Sequence, residues 1–156
     1  MSASTNQNIL NAILICLEET FEKVQGIYLD KGTSLFETLA TVTAEEASTP
    51  IGGSCATIAA HVEHTAFYLE AVPQYVQDSN FRADWGDIWE RVSTVTPEAW
   101  DASQKRLKAA YFMIREFAQS TPNWDDTDTL AGAMGMLMHN AYHLGEIRQA
   151  LCRLRS

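Results

Sequence analysis

Cysteine is scarce in this chain, and the few that are present are poorly spaced for bridging. Cys16, Cys55 and Cys152 are odd in number and far apart, and no CxxC pair occurs. Neither a disulfide framework nor a thiolate zinc site is therefore expected, and the three side chains are interpreted as small core residues. The sequence also lacks an early segment that combines basic residues, an apolar run and a cleavage site, so we expect a cytoplasmic protein.

Basic residues are also few. The chain has 11 Lys and Arg against 20 Asp and Glu, which gives a formal net charge of -9. Nucleic-acid backbones and anionic membrane surfaces are bound by clusters of Lys and Arg, and no such cluster is present, so both partners are excluded. No run of 18 apolar residues occurs either, and we expect no membrane-spanning helix.

Several common catalytic and nucleotide-binding motifs are missing. The segment STPIGGS contains Gly52 and Gly53, but no GxxxxGK[ST] or GxGxxG pattern is present, so the two glycines indicate a turn and not a phosphate cradle. No GxSxG elbow is present, which argues against a serine hydrolase. Useful period-2 alternation, internal repeats and low-complexity segments are absent as well. Any functional residues are therefore expected to lie on helices.

Hydrophobic residues recur at helical spacing almost throughout the chain. The length of 156 residues predicts one domain, 1–156, which can bury a core without a disulfide or a structural metal. The first of four main helices is expected from about Thr5 to Leu29, and the third is expected to reach about Gln119. Pro73 is expected to kink or end the second. Helix starts are predicted at the capping residues Ser34, Thr43 with Glu46, Ser54, Thr96 before Pro97, and Asp126 or Thr127.

A long connection, from about Asp78 to Thr96, separates the second and third main helices. It contains Trp85 and Trp89 and is expected to form a crossover with a short helix. Four main helices with one long connection indicate an all-α four-helix bundle with a crossover. The two tryptophans are interpreted as core residues, with the alternative that they fold over a functional site and line its substrate.

The last helix carries a pair of histidines. His139 and His143 are four residues apart, so their imidazoles lie one turn apart on one face of the helix and a metal ion can bridge them. Met136, Ile147 and Leu154 share that face, which turns the imidazoles toward apolar packing, where polar groups need a partner. The alternative interpretation is that both are core or surface histidines satisfied by hydrogen bonds.

The other two histidines of the chain, His61 and His64, lie on the second main helix. Either could be a third ligand, and spacing alone does not choose between them. Three neutral imidazoles around one divalent cation leave positions open for water or substrate, as in catalytic sites. Zinc and nickel suit imidazole best. Metal-bound histidines commonly donate their second N–H to a carboxylate, and Glu70 and Glu146 are candidates for that role.

These residues carry a resemblance to a known family. TIAAHVEHTAFYLE, the downstream HNAYHLGEIRQAL and the VTPEAW segment together resemble the DinB/YfiT-like superfamily of metal-dependent proteins over nearly the whole chain. The resemblance implies an antiparallel four-helix bundle with a crossover, a divalent metal near one end and frequently a homodimer. It assigns the ligands to His139, His143 and His64, which lies seven residues after Thr57. His61 becomes a neighbour or an alternative ligand.

One position departs from the pattern of that family. Glu146 stands where the motif usually has Gln, and its carboxylate could orient an imidazole, act as a catalytic base, or pair with Arg148 or Arg153. The resemblance implies a metal-dependent hydrolase or a thiol S-transferase, the latter using bacillithiol, mycothiol or glutathione. The alternatives are a non-catalytic metal-binding or ligand-binding module of a stress response, and a helical bundle whose histidines are structural.

Overall fold

A computed structural model describes residues 3–53, 55–78 and 80–156 of the chain. Within those residues the regular secondary structure is helical and no strand is present, which confirms the all-α class. Four helices are long and three have five residues each. They are α1 (Ala3–Phe21), α2 (Leu35–Leu39), α3 (Ala44–Ser48), α4 (Ile58–Gln77), α5 (Asp87–Arg91), α6 (Pro97–Ser120) and α7 (Thr127–Leu154).

Helix α1 ends earlier than its hydrophobic pattern predicts. The expected end near Leu29 is wrong, because the helix stops at Phe21 and the chain turns through Gly26, whose φ is +84°. The Glu19 carboxylate is fully buried and accepts hydrogen bonds from backbone N–H groups in the segment that follows. Those N–H groups therefore bind a side chain and not helical carbonyls.

Helix α4 differs from the prediction at its start and at its proline. Ser54, the predicted cap, lies outside the described residues, and the helix begins at Ile58 with Thr57 as its N-cap. The Thr57 hydroxyl accepts a hydrogen bond of 3.3 Å from the backbone N–H of Ala60. Pro73 does not end the helix, which continues to Gln77. Of the two expected effects of Pro73, a kink or an end, the end is therefore wrong.

The other predicted helix starts are confirmed. Ser34 precedes α2, and Thr43 precedes α3 with Glu46 completing its capping box. The Thr96 hydroxyl accepts from the N–H of Ala99 at the start of α6. Asp126 accepts from the N–H of Thr129 at 2.8 Å, so it caps α7. The short helix expected in the long connection is α5, and Gly52 and Gly53 lie outside the helices, both with positive φ.

The structure divides into two compact units, and the first comprises residues 1–40 and 115–144. It contains α1, α2, the end of α6 and most of α7. Its buried core includes Leu17, Phe21, Leu35 and Leu144, and the rings of Phe21 and Phe36 lie 5.8 Å apart. Apolar side chains at helical spacing on these helices are removed from water together, which is what stabilises them.

The second unit comprises residues 41–114 and 145–156. Ile58, Val62, Leu69, Leu107 and Ile147 are fully buried in it. Polar contacts fix its connections. The buried indole N–H of Trp100 donates to the carbonyl oxygen of Val42 at 2.9 Å, and the Ser48 hydroxyl accepts from the N–H of Val95 at the same distance. The long connection after α5 is thereby tied to α3.

None of the described helices is both long enough and apolar enough to cross a membrane.

Candidate metal centre

His139 and His143 face each other along α7, as their spacing predicts. Their ring centroids are 4.5 Å apart and the ring planes are close to perpendicular, at 76°. His143 is buried, with 5 % of its surface exposed, and His139 is half-buried. The capped, uninterrupted helix fixes this geometry, because residues i and i+4 project from successive turns of the same face.

Both histidines of α4 are also buried. His61 and His64 lie one turn apart in a stretch of helix where Ala59, Ala60 and Val62 are buried as well. Burial of three histidines among largely apolar residues is unusual, because each ring carries two polar nitrogen atoms that need partners.

The structure brings three of the predicted ligands together. His64, His139 and His143 each offer one ligand atom, and these atoms all lie within 4.8 Å of one another. Around one ion with zinc–nitrogen bonds of about 2.1 Å, imidazole nitrogens are about 3.4 Å apart in tetrahedral geometry. Three neutral nitrogen donors therefore fit a borderline divalent cation such as zinc or nickel.

A second group of possible ligands shares one residue with the first. His61, His143 and Glu146 also place one ligand atom each within 4.8 Å of the others. Spacing alone left His61 and His64 as alternatives, and each belongs to one of the two groups, which have His143 in common. The first group consists of imidazoles only, whereas the second includes a carboxylate that is already close to His61.

That carboxylate favours one protonation state of His61. The Glu146 Oε2 atom lies 3.4 Å from the His61 Nδ1 atom. Burial lowers the pKa of His61, and the nearby Glu146 charge only partly opposes this shift, so the imidazole is neutral at neutral pH. A carboxylate beside Nδ1 favours the tautomer with its proton on that atom, which leaves the lone pair on Nε2. Of the three roles considered for Glu146, orientation of an imidazole is the one that this contact supports.

Trp89 on α5 packs against both histidines of α4. Its ring centroid is 4.4 Å from that of His64, with 30° between the planes, and 5.4 Å from that of His61, with 73° between the planes. These ring contacts restrict the rotation of both imidazoles. The long connection therefore contributes to the candidate site.

Glu70, the other carboxylate predicted to support a ligand, has a different partner. Its two oxygens accept hydrogen bonds of 2.9 and 2.6 Å from Arg106, which also pairs with Glu63. This cluster of Glu63, Glu70 and Arg106 was not predicted from the sequence. Glu63 and Glu70 are seven residues apart, which is two helical turns, so a basic residue on a facing helix could have been sought.

Comparison with known proteins adds no further assignment. No protein-family model, curated protein or solved structure matches the chain. The likeness to the DinB/YfiT-like superfamily therefore depends on the sequence motifs alone. Any function for the three histidines must be argued from their own geometry and chemistry.

Proposed function

We propose that this protein is a metal-dependent enzyme of the DinB/YfiT-like type that binds one divalent cation, zinc or nickel, through His64, His139 and His143. The observation that carries the proposal is the convergence of three imidazole nitrogens within 4.8 Å. Three protein ligands leave coordination positions for other groups, which distinguishes catalytic from closed structural sites. The buried positions of His64 and His143 limit competition from bulk water.

The proposed reaction is hydrolysis or the transfer of a thiol. When bound, the ion would supply Lewis acidity that activates water, a thiol or a substrate carbonyl group. The protein would hold its imidazoles in position, and Trp89 would restrict the rotation of His64. His61, whose Nδ1 atom lies 3.4 Å from Glu146, would act as the base that accepts a proton from the attacking group.

Cobalt substitution separates these two reactions. Cobalt-loaded protein is titrated with bacillithiol, mycothiol or glutathione while its visible absorption spectrum is recorded. A thiol substrate is expected to produce a saturable sulfur-to-cobalt charge-transfer band that is lost in the His64→Ala variant. A hydrolase gives no such band and turns over esters or amides with water alone. Protein that takes up no cobalt would refute both versions.

A non-catalytic metal-binding role is a second candidate, and the burial of His64 and His143 favours it. A fully enclosed ion would have no position open for substrate. Azide added to the cobalt-loaded protein tests this directly, because a small anion binds only where a coordination position is accessible. A spectral change supports the enzyme, whereas an unchanged spectrum at saturating azide supports metal storage or a structural ion.

The antiparallel four-helix bundle, the homodimer and the cytoplasmic location belong to the same proposal. Four long helices and the long connection before α6 support the bundle. Met134, Met138 and Tyr142 form an exposed apolar row at intervals of four residues on α7, which suits contact with a second copy of the chain. All three cysteines are free, as is usual in a reducing compartment. Light scattering should give a dimer mass that falls to the monomer mass for Met138→Glu.

A further inference from the structure

Aromatic side chains form an ordered cluster around the long connection. The Trp85 ring lies 5.4 Å from Phe67, 5.7 Å from Tyr68 and 6.0 Å from Tyr75, measured between ring centroids. The Tyr75 hydroxyl also accepts a hydrogen bond of 3.2 Å from the N–H of Ala83. Several ring contacts and a backbone hydrogen bond therefore hold Trp85 against α4.

This cluster is held in place but is not covered. Tyr75, Trp85 and Trp89 leave 39 %, 36 % and 38 % of their surfaces exposed. Together these three side chains present roughly 200 Å² of exposed, mostly apolar surface, which is about the area of one large aromatic side chain. Core packing alone would bury such rings more fully, as it does Trp100 and Trp124, each 4 % exposed.

The exposed aromatic surface continues to the candidate metal centre. Trp89 packs against the His64 ring at 4.4 Å, and the centroid of Trp85 lies 6.3 Å from that of His64. A molecule that reaches a metal at His64 would thus have these rings beside it. The surface formed by Tyr75, Trp85 and Trp89 is called the aromatic wall below.

The charge around the aromatic wall selects among aromatic ligands. Residues 78–91 contain four acidic and two basic residues, and the whole chain has a net charge of -9. The faces of tryptophan and tyrosine rings are electron-rich and attract cations, with an energy that depends on how far the cation is desolvated. Of the two basic side chains, Arg91 pairs with Asp87 and Arg82 donates to the carbonyl oxygen of Phe81. An anionic ring is therefore disfavoured relative to a neutral or cationic one.

We propose that the aromatic wall binds an aromatic ring without negative charge, and that this ring is part of the substrate of the neighbouring metal centre. The second half of this inference rests on the proposed function, whereas the ring-binding site does not. Stacked or edge-to-face contacts with Trp85 and Tyr75 would hold the ring, and Trp89 would lie between it and His64.

The aromatic wall can be tested with protein labelled with 5-fluorotryptophan. The chain has four tryptophans, so single Trp→Phe variants assign four ¹⁹F resonances. Indole, benzyltrimethylammonium and benzoate serve as neutral, cationic and anionic probes. The first two are expected to shift the Trp85 and Trp89 resonances in a saturable manner and to leave those of the buried Trp100 and Trp124 in place. Benzoate is expected to bind at least about tenfold more weakly.

Variants show whether the shifts come from this surface. Trp85→Leu is expected to weaken indole binding by about tenfold, because it removes one of the two indole rings of the wall. Phe112→Leu is the matched control, since it shortens an aromatic residue that is also exposed but lies outside the wall, and it should leave binding unchanged. Far-ultraviolet circular dichroism confirms that both variants fold. The absence of saturable shifts, equal binding of benzoate, or unchanged binding by folded Trp85→Leu would overturn the proposal.

The same titration in chelator-treated and zinc-loaded protein separates the two proposals. Ring binding without any metal uptake would refute the metal centre and leave the aromatic site intact. Metal uptake without ring binding would refute the aromatic site alone. Tighter indole binding in the zinc-loaded protein, or a displaced Trp89 resonance on loading, supports a shared site, whereas identical titrations in both forms contradict the role of the ring as part of the substrate.

Discussion

Replacement of Glu19 by Gln tests how the chain leaves α1. The Glu19 carboxylate is fully buried and accepts hydrogen bonds from the backbone N–H groups of Gln25, Ile27, Tyr28 and Leu29, at 2.7 to 3.2 Å. Burial alone raises the pKa of this carboxyl group, but the four N–H donors outweigh it and hold the pKa below its usual value. The ionised form is therefore the one that the fold stabilises.

Glutamine removes the charge and replaces one acceptor oxygen with an NH₂ group that faces backbone donors. A hydrogen bond to a charged group contributes about 1.5 to 3 kcal/mol, and a buried donor left without an acceptor costs about 1 to 3 kcal/mol. The donors share one carboxylate, so these terms are not additive. We expect Glu19→Gln to lower the free energy of unfolding by about 3 kcal/mol.

Urea denaturation monitored by circular dichroism measures this loss, with Glu18→Gln as the control on the neighbouring, less buried position. The pH dependence gives a second test. Because the folded-state pKa of Glu19 is lowered, its contribution is complete above the ordinary carboxyl pKa and is lost as the pH falls through the lower, folded-state value. The difference in the free energy of unfolding between wild type and Glu19→Gln should become smaller as the pH falls through this range. A loss below about 1 kcal/mol, or a difference independent of pH, would refute this explanation of the end of α1.

Three further predictions concern the second unit. Thr57→Ala removes the N-cap of α4 and should lower the free energy of unfolding by about 1 kcal/mol in urea denaturation. Thr57→Ser keeps a capping hydroxyl and should retain most of the wild-type stability. Equal losses in the two variants would contradict the capping role of Thr57. Arg106→Met leaves Glu63 and Glu70 without their partly exposed cation and should lower the free energy of unfolding by up to about 1 kcal/mol. Lys105→Met breaks only the exposed pair with Asp101 and should lower it by less. A larger loss in Lys105→Met than in Arg106→Met would contradict a stabilising role of the Arg106 network. Hydrogen bonds from Arg155 and Thr43 lower the pKa of Glu46 to about 2, so wild-type stability should fall as the pH is lowered from 4.5 to that value. Arg155→Ala should make stability less dependent on pH in this range. An unchanged pH dependence in the variant would exclude the ion pair with Arg155 as the cause of the fall.

Local signals in the sequence predicted the helices well where capping chemistry marks their ends. Thr43 with Glu46, Thr96 before Pro97 and Asp126 all cap helices at the expected positions. The end of α1 was not predictable in this way. Apolar residues continue at helical spacing beyond Phe21, and the interruption comes from Glu19, whose burial and hydrogen bonds depend on the folded loop. A carboxylate on a helix is usually solvated, so the sequence around Glu19 gives no sign that this residue ends α1.

The candidate site was predictable in its ligand types and less so in its surroundings. Spacing placed His139 and His143 on one face, and their convergence with His64 followed from the resemblance to a known family. The contact between His61 and Glu146 was only one of several options. The packing of Trp89 on His64 could not be derived from periodicity, because it depends on where an irregular connection lies against α4. Such contacts join residues far apart in the chain without a repeating pattern.

The content of metal in purified protein tests the central claim most directly. Protein loaded with zinc or nickel, freed of excess metal by gel filtration and analysed by mass spectrometry for the element, should retain close to one ion per chain. His64→Ala, His139→Ala and His143→Ala should each retain far less, whereas His61→Ala should keep its ion. Wild-type protein without metal, or loss of the ion from His61→Ala with retention in His64→Ala, would contradict a centre formed by His64, His139 and His143.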